Sequence, residues 1–229
     1  MPDIAIPIVF PDYLIAVNTP KTKVKIPDLI PGFDLLPESF EIPETQNKFP
    51  DLGHAGILFI NGANGATKYY EYGRYASSVG NTRKLPIRDV KIMSDGHPSK
   101  ASLLYTLSQI SAGSGQNGRI LGAYIEVLGK FQAMLDYALK RMQENSNPNR
   151  KKYDLISNSC NHFMKGVLEA AGVDTSYMLD PRPNSYIAEI RDNYPKLDYS
   201  RAEHKLVIEN APASLASNIL VHAQPAAAA

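Results

Sequence analysis

Apolar residues follow two different rhythms along this chain, one of strands and one of helices. From Ala55 to Ile60 (Ala55-Gly56-Ile57-Leu58-Phe59-Ile60) every position is apolar or glycine, which predicts a strand covered on both faces and therefore central in a sheet. The turn-forming run Asn61-Gly62-Ala63-Asn64-Gly65 follows, and Thr67 to Tyr75 then predicts the return strand of a hairpin. Period two places Tyr69, Glu71 and Gly73 on one face of that strand and Tyr70, Tyr72 and Arg74 on the other. A further strand is predicted over Lys84 to Met93, with Pro86 near its edge, and another over Ile120 to Val127.

The three- and four-residue rhythm takes over at Leu103, Leu104, Leu107 and Ile110, which predicts a helix from Pro98 to Ile110. It returns at Phe131, Met134, Leu135, Ala138, Leu139 and Met142, a helix from Lys130 that ends at Asn145-Ser146-Asn147-Pro148. A third helix is marked by Phe163, Val167, Leu168 and Ala171 and closed by Gly172. A short helix over Pro183 to Tyr194 and a short strand over Lys205 to Glu209 complete an α+β chain. Between helices, Ser111 to Gly118 reads as a flexible loop without the lysine or spacing of a phosphate cradle.

The first fifty residues read differently. Ile4 to Val17 is apolar but is interrupted by Pro7, Pro11 and Asp12 and has no basic leader, so neither a signal peptide nor a membrane span is expected. Pro20, Pro27, Pro31, Pro37, Pro43 and Pro50 forbid long helices, while Leu29, Ile30, Phe33, Leu35, Leu36, Phe40 and Ile42 are too apolar for a free linker. The expected organisation is a proline-rich arm packed on the core over 1–50, a catalytic domain over 51–210 and a C-terminal tail over 211–229.

Chemistry enters with Cys160, the only cysteine of the 229 residues. In Tyr153-Asp154-Leu155-Ile156-Ser157-Asn158-Ser159-Cys160-Asn161-His162-Phe163 it falls on the first turn of the third helix, capped by Asn158 and Ser159. Free backbone N–H groups and the positive end of the helix dipole favour an anion there, and a thiolate is the nucleophilic form of cysteine. A buried, inert cysteine is the bland alternative. His54, at the mouth of the apolar strand, supplies the base that a thiol needs, and Glu71, on the paired strand, can orient the imidazole. The competing reading of Glu71 is an ordinary ion pair with Arg74. His162 stands two residues from the thiol, a rotation of about 200° on a helix, so it diverges from the sulfur and is expected to pack or hydrogen-bond behind the helix. His97, in a turn, reads as solvated.

A net charge of +1, with both signs scattered, provides no basic face for nucleic acid and no polybasic membrane patch. One cysteine rules out an internal disulfide framework, and no Cys/His spacing matches a zinc site, so no metal or other cofactor is expected.

The Gly-His-Ala-Gly-Ile strand at 53–57, followed by Asn158-Ser159-Cys160-Asn161-His162-Phe163, resembles the circularly permuted papain-like superfamily. That group includes the NlpC/P60-like amidases, the PPPDE peptidases with their Asn-Cys-Asn-His-Phe element, and the lecithin:retinol acyltransferase-like proteins. The resemblance covers about residues 52 to 172 and implies an antiparallel sheet packed against the helix that carries the cysteine. It also implies Cys160 as nucleophile, His54 as base, and Glu71 as the nearest match to the third polar position. Ser159 departs from the pattern, standing where relatives often have a second asparagine.

The run Tyr69-Tyr70-Glu71-Tyr72-Gly73-Arg74-Tyr75 and the leaderless, proline-rich start also look like bacterial type VI secretion effectors, some of which are NlpC/P60-like toxins that cut peptidoglycan peptides. The expectation is then a cysteine amidase or endopeptidase working through a thioester. It would lie in the cytoplasm of the producing cell, be secreted with the help of a carrier of the secretion apparatus, act on peptide or peptidoglycan in the target periplasm, and be restrained by an immunity protein. An isopeptidase, an acyltransferase and a non-catalytic binding domain on the same fold are the alternatives.

Overall fold

A computed structural model describes residues 1–16, 22–25, 39–42, 48–49, 53–75, 79–175, 178 and 180–216. Eight of its strands form one sheet: β1 (Asp3–Phe10), β6 (His54–Ile60), β7 (Thr67–Gly73), β8 (Asn81–Leu85), β9 (Ile120–Ala123), β10 (Ile125–Val127), β11 (Lys196–Ser200) and β12 (Lys205–Ile208). Their order is β12-β11-β9-β1-β6-β7-β8, with β10 also on β1, and every pairing is antiparallel. Two small ladders join β2 (Ile15–Ala16) to β5 (Lys48–Phe49) and β3 (Thr22–Lys25) to β4 (Ser39–Ile42).

The central strand is β1, and this corrects the expected arm: residues 3–10 belong to the sheet and are buried along their whole length. Pro7 is tolerated there because β1 changes partner beside it. Residues 3–5 pair with β10 and residues 8–9 with β9, so the missing N–H falls in the gap between the two ladders. The predicted strand Ile120 to Val127 is correspondingly split at Tyr124, whose N–H is drawn aside to the Pro195 carbonyl at 2.9 Å. The remainder of the expected arm lies largely outside the described residues.

Among the described residues five α-helices cover the two faces: α1 (Lys100–Ser114), α2 (Phe131–Gln143), α3 (Cys160–Ala170), α4 (Pro183–Arg191) and α5 (Ala213–Ala216). Ala5, Val9, Ala55, Ile57, Phe59, Tyr70 and Tyr72 face α2, α3 and α4, where they meet Met134, Phe163, Val167 and Ile187. Ile4, Ile6, Ile8, Phe10, Leu58, Ile60 and Tyr69 face α1 and α5 and meet Leu103, Leu107, Ile110 and Leu215. Burying both faces of β1 and β6 is what demands their unbroken apolar runs. The expected tail is corrected at its start, because Leu215 packs in this second core; residues 217–229 lie outside the described part.

Several other expectations shift. The strand predicted over Lys84 to Met93 is β8 alone, ending at Leu85, followed by extended chain with an isolated bridge between Ile92 and Pro98. The first helix runs on to Ser114, so only the last residues of the expected loop are irregular. His97 is not solvated: its Nδ1 lies 3.1 Å from the Tyr124 hydroxyl.

Candidate active site

The site forms where β6 and β7 part. Their ladder runs from Ile60–Thr67 to Gly56–Glu71 and stops, while β7 continues along β8 to Gly73–Asn81. Beyond the last rung, the backbone N–H of Ala55 faces the Cys160 sulfur. The N-terminus of α3 fits into this opening, packed on β6 and β7.

Three features hold the cysteine there. Ser159 is the extended N-cap residue (φ −114°, ψ −177°), and its carbonyl accepts the Phe163 N–H at 3.1 Å. His162 takes the position that glutamate or glutamine holds in a capping box: its Nδ1 accepts from the Ser159 backbone N–H at 3.3 Å and lies 2.9 Å from the Ser159 hydroxyl. Asn158 fixes the approach. Its buried amide donates to the Tyr72 hydroxyl (3.0 Å), the Lys151 carbonyl (2.9 Å) and the Lys152 carbonyl (3.0 Å), while its oxygen accepts from Arg141 at 3.0 Å.

His54 heads β6 opposite Phe10, with Gly53 before it in the left-handed region at φ +72°. Its Nε2 lies 3.1 Å from Glu71 Oε2, and both side chains are buried. Glu71 also accepts from the Tyr69 hydroxyl at 3.0 Å; the Tyr75 hydroxyl faces it too, without meeting hydrogen-bond geometry. The His54 ring is enclosed by Tyr13 (5.0 Å between centroids), Phe10 (6.1 Å) and Tyr75 (6.3 Å, edge-on). Two glycines make room: a Cβ on Gly56 would lie 2.2 Å from the Tyr69 hydroxyl oxygen, and one on Gly73 would press on Tyr75 at 3.2 Å and His54 at 3.5 Å.

The third contact closes the set. The Cys160 sulfur faces the His54 imidazole and the Tyr153 hydroxyl, and both act on its charge. Because Nε2 of His54 is engaged by Glu71, the ring presents Nδ1 to the sulfur. Cys160 is 3 % exposed and His54 8 %, and Cys160 borders the apolar core of the α3 side while His54, the Ala55 N–H and Tyr153 act on its sulfur.

Electrostatics couples the three. Burial pushes the Cys160 thiol up, but hydrogen bonding to and the charge of His54 outweigh it and hold the thiol below its ordinary value. Burial pushes His54 down, and this too is outweighed, by hydrogen bonds to Cys160 and Glu71 and by both negative charges, so the imidazole titrates well above 6.5. Glu71 is driven up by burial and brought below the usual carboxylate value by His54. The consistent state is a thiolate–imidazolium pair beside an ionised carboxylate.

Cys160, His54 and Glu71, singled out separately in the sequence, are thus brought together, and Glu71 pairs with His54 instead of Arg74. Sequence reasoning missed the contacts of Tyr153, Tyr69 and Tyr75, whose hydroxyls carry no pattern of their own. It missed the Ala55 N–H altogether, since a backbone donor has no signature. Among the described residues, no cluster of three or more His, Cys, Asp or Glu side chains could hold a metal ion, and no helix is long and apolar enough to cross a membrane.

Residues 5–176 match the profile of the TseH-like type VI secretion system effectors. The crystal structure of the type VI secretion system effector TseH superposes with a TM-score of 0.71 at 34% sequence identity, covering 91% of this chain and 98% of that one. No protein of curated function matches the chain. With the match spanning β1 through α3 and most of both chains superposing, this protein belongs to the TseH-like family of type VI secretion system effectors.

Proposed function

We propose that this effector is a cysteine hydrolase of the circularly permuted papain-like, NlpC/P60 type that cleaves amide bonds of peptidoglycan peptides in the periplasm of a target bacterium. One observation carries the reading: a thiol at a helix N-terminus faces an imidazole on the neighbouring strand, which is held in turn by a carboxylate on the next strand. Membership of an effector family supports export and a toxic role. A carrier of the secretion apparatus and an immunity protein are the expected partners.

In the proposed reaction the Cys160 thiolate attacks the amide carbonyl carbon, and the oxyanion is stabilised by backbone N–H groups at the start of α3, beginning with that of Cys160. The His54 imidazolium gives its proton to the departing amine as the C–N bond breaks, leaving a thioester and a neutral ring. Water then adds to the thioester while His54 takes its proton, and cleavage of the C–S bond returns the thiolate–imidazolium pair. Glu71 is a positioning residue: its carboxylate holds Nε2 and favours the charged ring.

The test is expression in bacteria with and without a periplasmic leader, beside Cys160→Ala and His54→Ala, with digestion of isolated muropeptides by the purified proteins. Lysis only with the leader and only with both residues intact, together with new amine termini in the muropeptides, is expected. Lysis by the folded Cys160→Ala protein would overturn the proposal.

A further inference from the structure

Several cations border the site, and most of them are occupied. Arg141 bonds Asn158 at 3.0 Å and pairs with Glu144 at 3.2 Å. Arg150 holds the Gly80 carbonyl (3.2 Å) and the Asn81 side chain (2.9 Å), and Lys151 donates to the Ser157 carbonyl at 2.7 Å. Arg74 and Arg83 differ. Both are exposed, and among the described residues neither forms an ion pair. Each instead lies on the face of a tyrosine: the Arg74 guanidinium is 5.1 Å from the centre of the Tyr153 ring, and that of Arg83 is 4.0 Å from the centre of Tyr75.

Those two tyrosines touch the reacting groups. Tyr153 presents its hydroxyl to the Cys160 sulfur, and Tyr75 stands edge-on to His54. One unneutralised guanidinium is therefore a single ring away from the nucleophile and the other a single ring away from the base. The acid directly across the ladder from Arg83, Glu71, is already held by His54 and Tyr69. A guanidinium stacked on an aromatic ring keeps its edge free, and that edge is shaped for a carboxylate.

We propose that Arg74 and Arg83 select the substrate of this site by receiving a carboxylate carried close to the scissile amide, so that anionic peptides are cleaved in preference to their amidated counterparts. This rests on the cysteine hydrolase reading above and adds the charge of the substrate to it.

The test uses alkylation of Cys160, which needs no knowledge of the peptide. Iodoacetate carries the carboxylate and iodoacetamide is its neutral counterpart, so the ratio of their rates reports anion recruitment alone. At low salt the ratio is expected to fall about threefold to fivefold in Arg74→Gln and again in Arg83→Gln, and the wild-type ratio to fall with added salt. Arg74→Lys, which keeps the charge and loses the fork, should recover part of it. With peptides, the variants should raise KM for the free carboxylate form while kcat and the amidated form are unaffected. A rate ratio unchanged in the double variant, with both reagents still reacting rapidly, overturns this inference and leaves the dyad standing. Wild-type Cys160 reacting with both reagents no faster than an ordinary thiol overturns the dyad, and the inference with it.

Discussion

The sharpest structural prediction concerns Gly56, whose place in the Gly53-His54-Ala55-Gly56 motif has a steric cause. A methyl group there would lie 2.2 Å from the Tyr69 hydroxyl oxygen, 2.6 Å from Cζ and 2.8 Å from Cε2. Tyr69 is fully buried, so it has no solvent to move into. Restoring ordinary van der Waals contact requires a shift of more than an ångström, which breaks the 3.0 Å hydrogen bond to Glu71. Losing a bond to a charged, buried acceptor costs about 1.5–3 kcal/mol. Overpacking a dense core adds about 1–3 kcal/mol. Gly56→Ala is therefore expected to lower stability by about 3–5 kcal/mol, read as a drop in the urea midpoint at constant slope. Tyr69→Phe alone removes only the hydroxyl and should cost about 1–3 kcal/mol. In Gly56→Ala combined with Tyr69→Phe the closest clash is gone, so the double variant should be more stable than the sum of the single effects by about 1 kcal/mol or more. A Gly56→Ala protein as stable as the parent, or strict additivity in that cycle, would refute the steric argument.

Two further outcomes follow from the site. Because His54 holds the Cys160 thiol below its ordinary value against the opposing effect of burial, alkylation by iodoacetamide should proceed at neutral pH and slow only as the pH falls through that depressed value; in His54→Ala only the smaller effects of the Ala55 N–H and the Tyr153 hydroxyl still oppose burial, and the rate should rise only at distinctly higher pH than in the parent, as stopped-flow pH profiles would show. Asn158→Ala removes three donated bonds and one accepted bond that fix the approach to α3, and should lower stability by about 2–4 kcal/mol in urea denaturation while slowing alkylation of Cys160; unchanged stability would contradict the anchoring role.

Much of the site was legible because its signals are local. The apolar run of β6 announces burial on both faces, the hairpin turn is rich in Asn and Gly, and period two along β7 places Glu71 on the same face as Tyr69. The helix start at Cys160 follows from Ser159 and the apolar residues after it. What was not legible depends on distant partners. Pro7 and Asp12 make the first segment look like an irregular arm, and only the switch from β10 to β9 explains how a proline sits in a central strand. Tyr124 splits a continuous apolar run because Pro195 draws its N–H away. The alternating Lys196–Ser200 strand is half-polar and short, and its place beside β9 is settled by tertiary pairing. His162 was rightly separated from the sulfur, but its capping bond needs the backbone geometry of Ser159 to be seen.

The position of β1 bears on when an exported effector acquires its folded site. Asp3–Phe10 pairs with strands contributed by residues 54–60, 120–123 and 125–127, so one side of this strand is covered early while the other finds its neighbours only after about half of the remainder has been synthesised or threaded through. Such non-local pairing folds slowly compared with local contacts. His54 has no fixed place until β1 and β6 have joined, and the sulfur that it meets arrives later still. Partial chains, whether nascent or in transit, thus hold Cys160 and His54 apart, and their meeting belongs to the completed sheet alone.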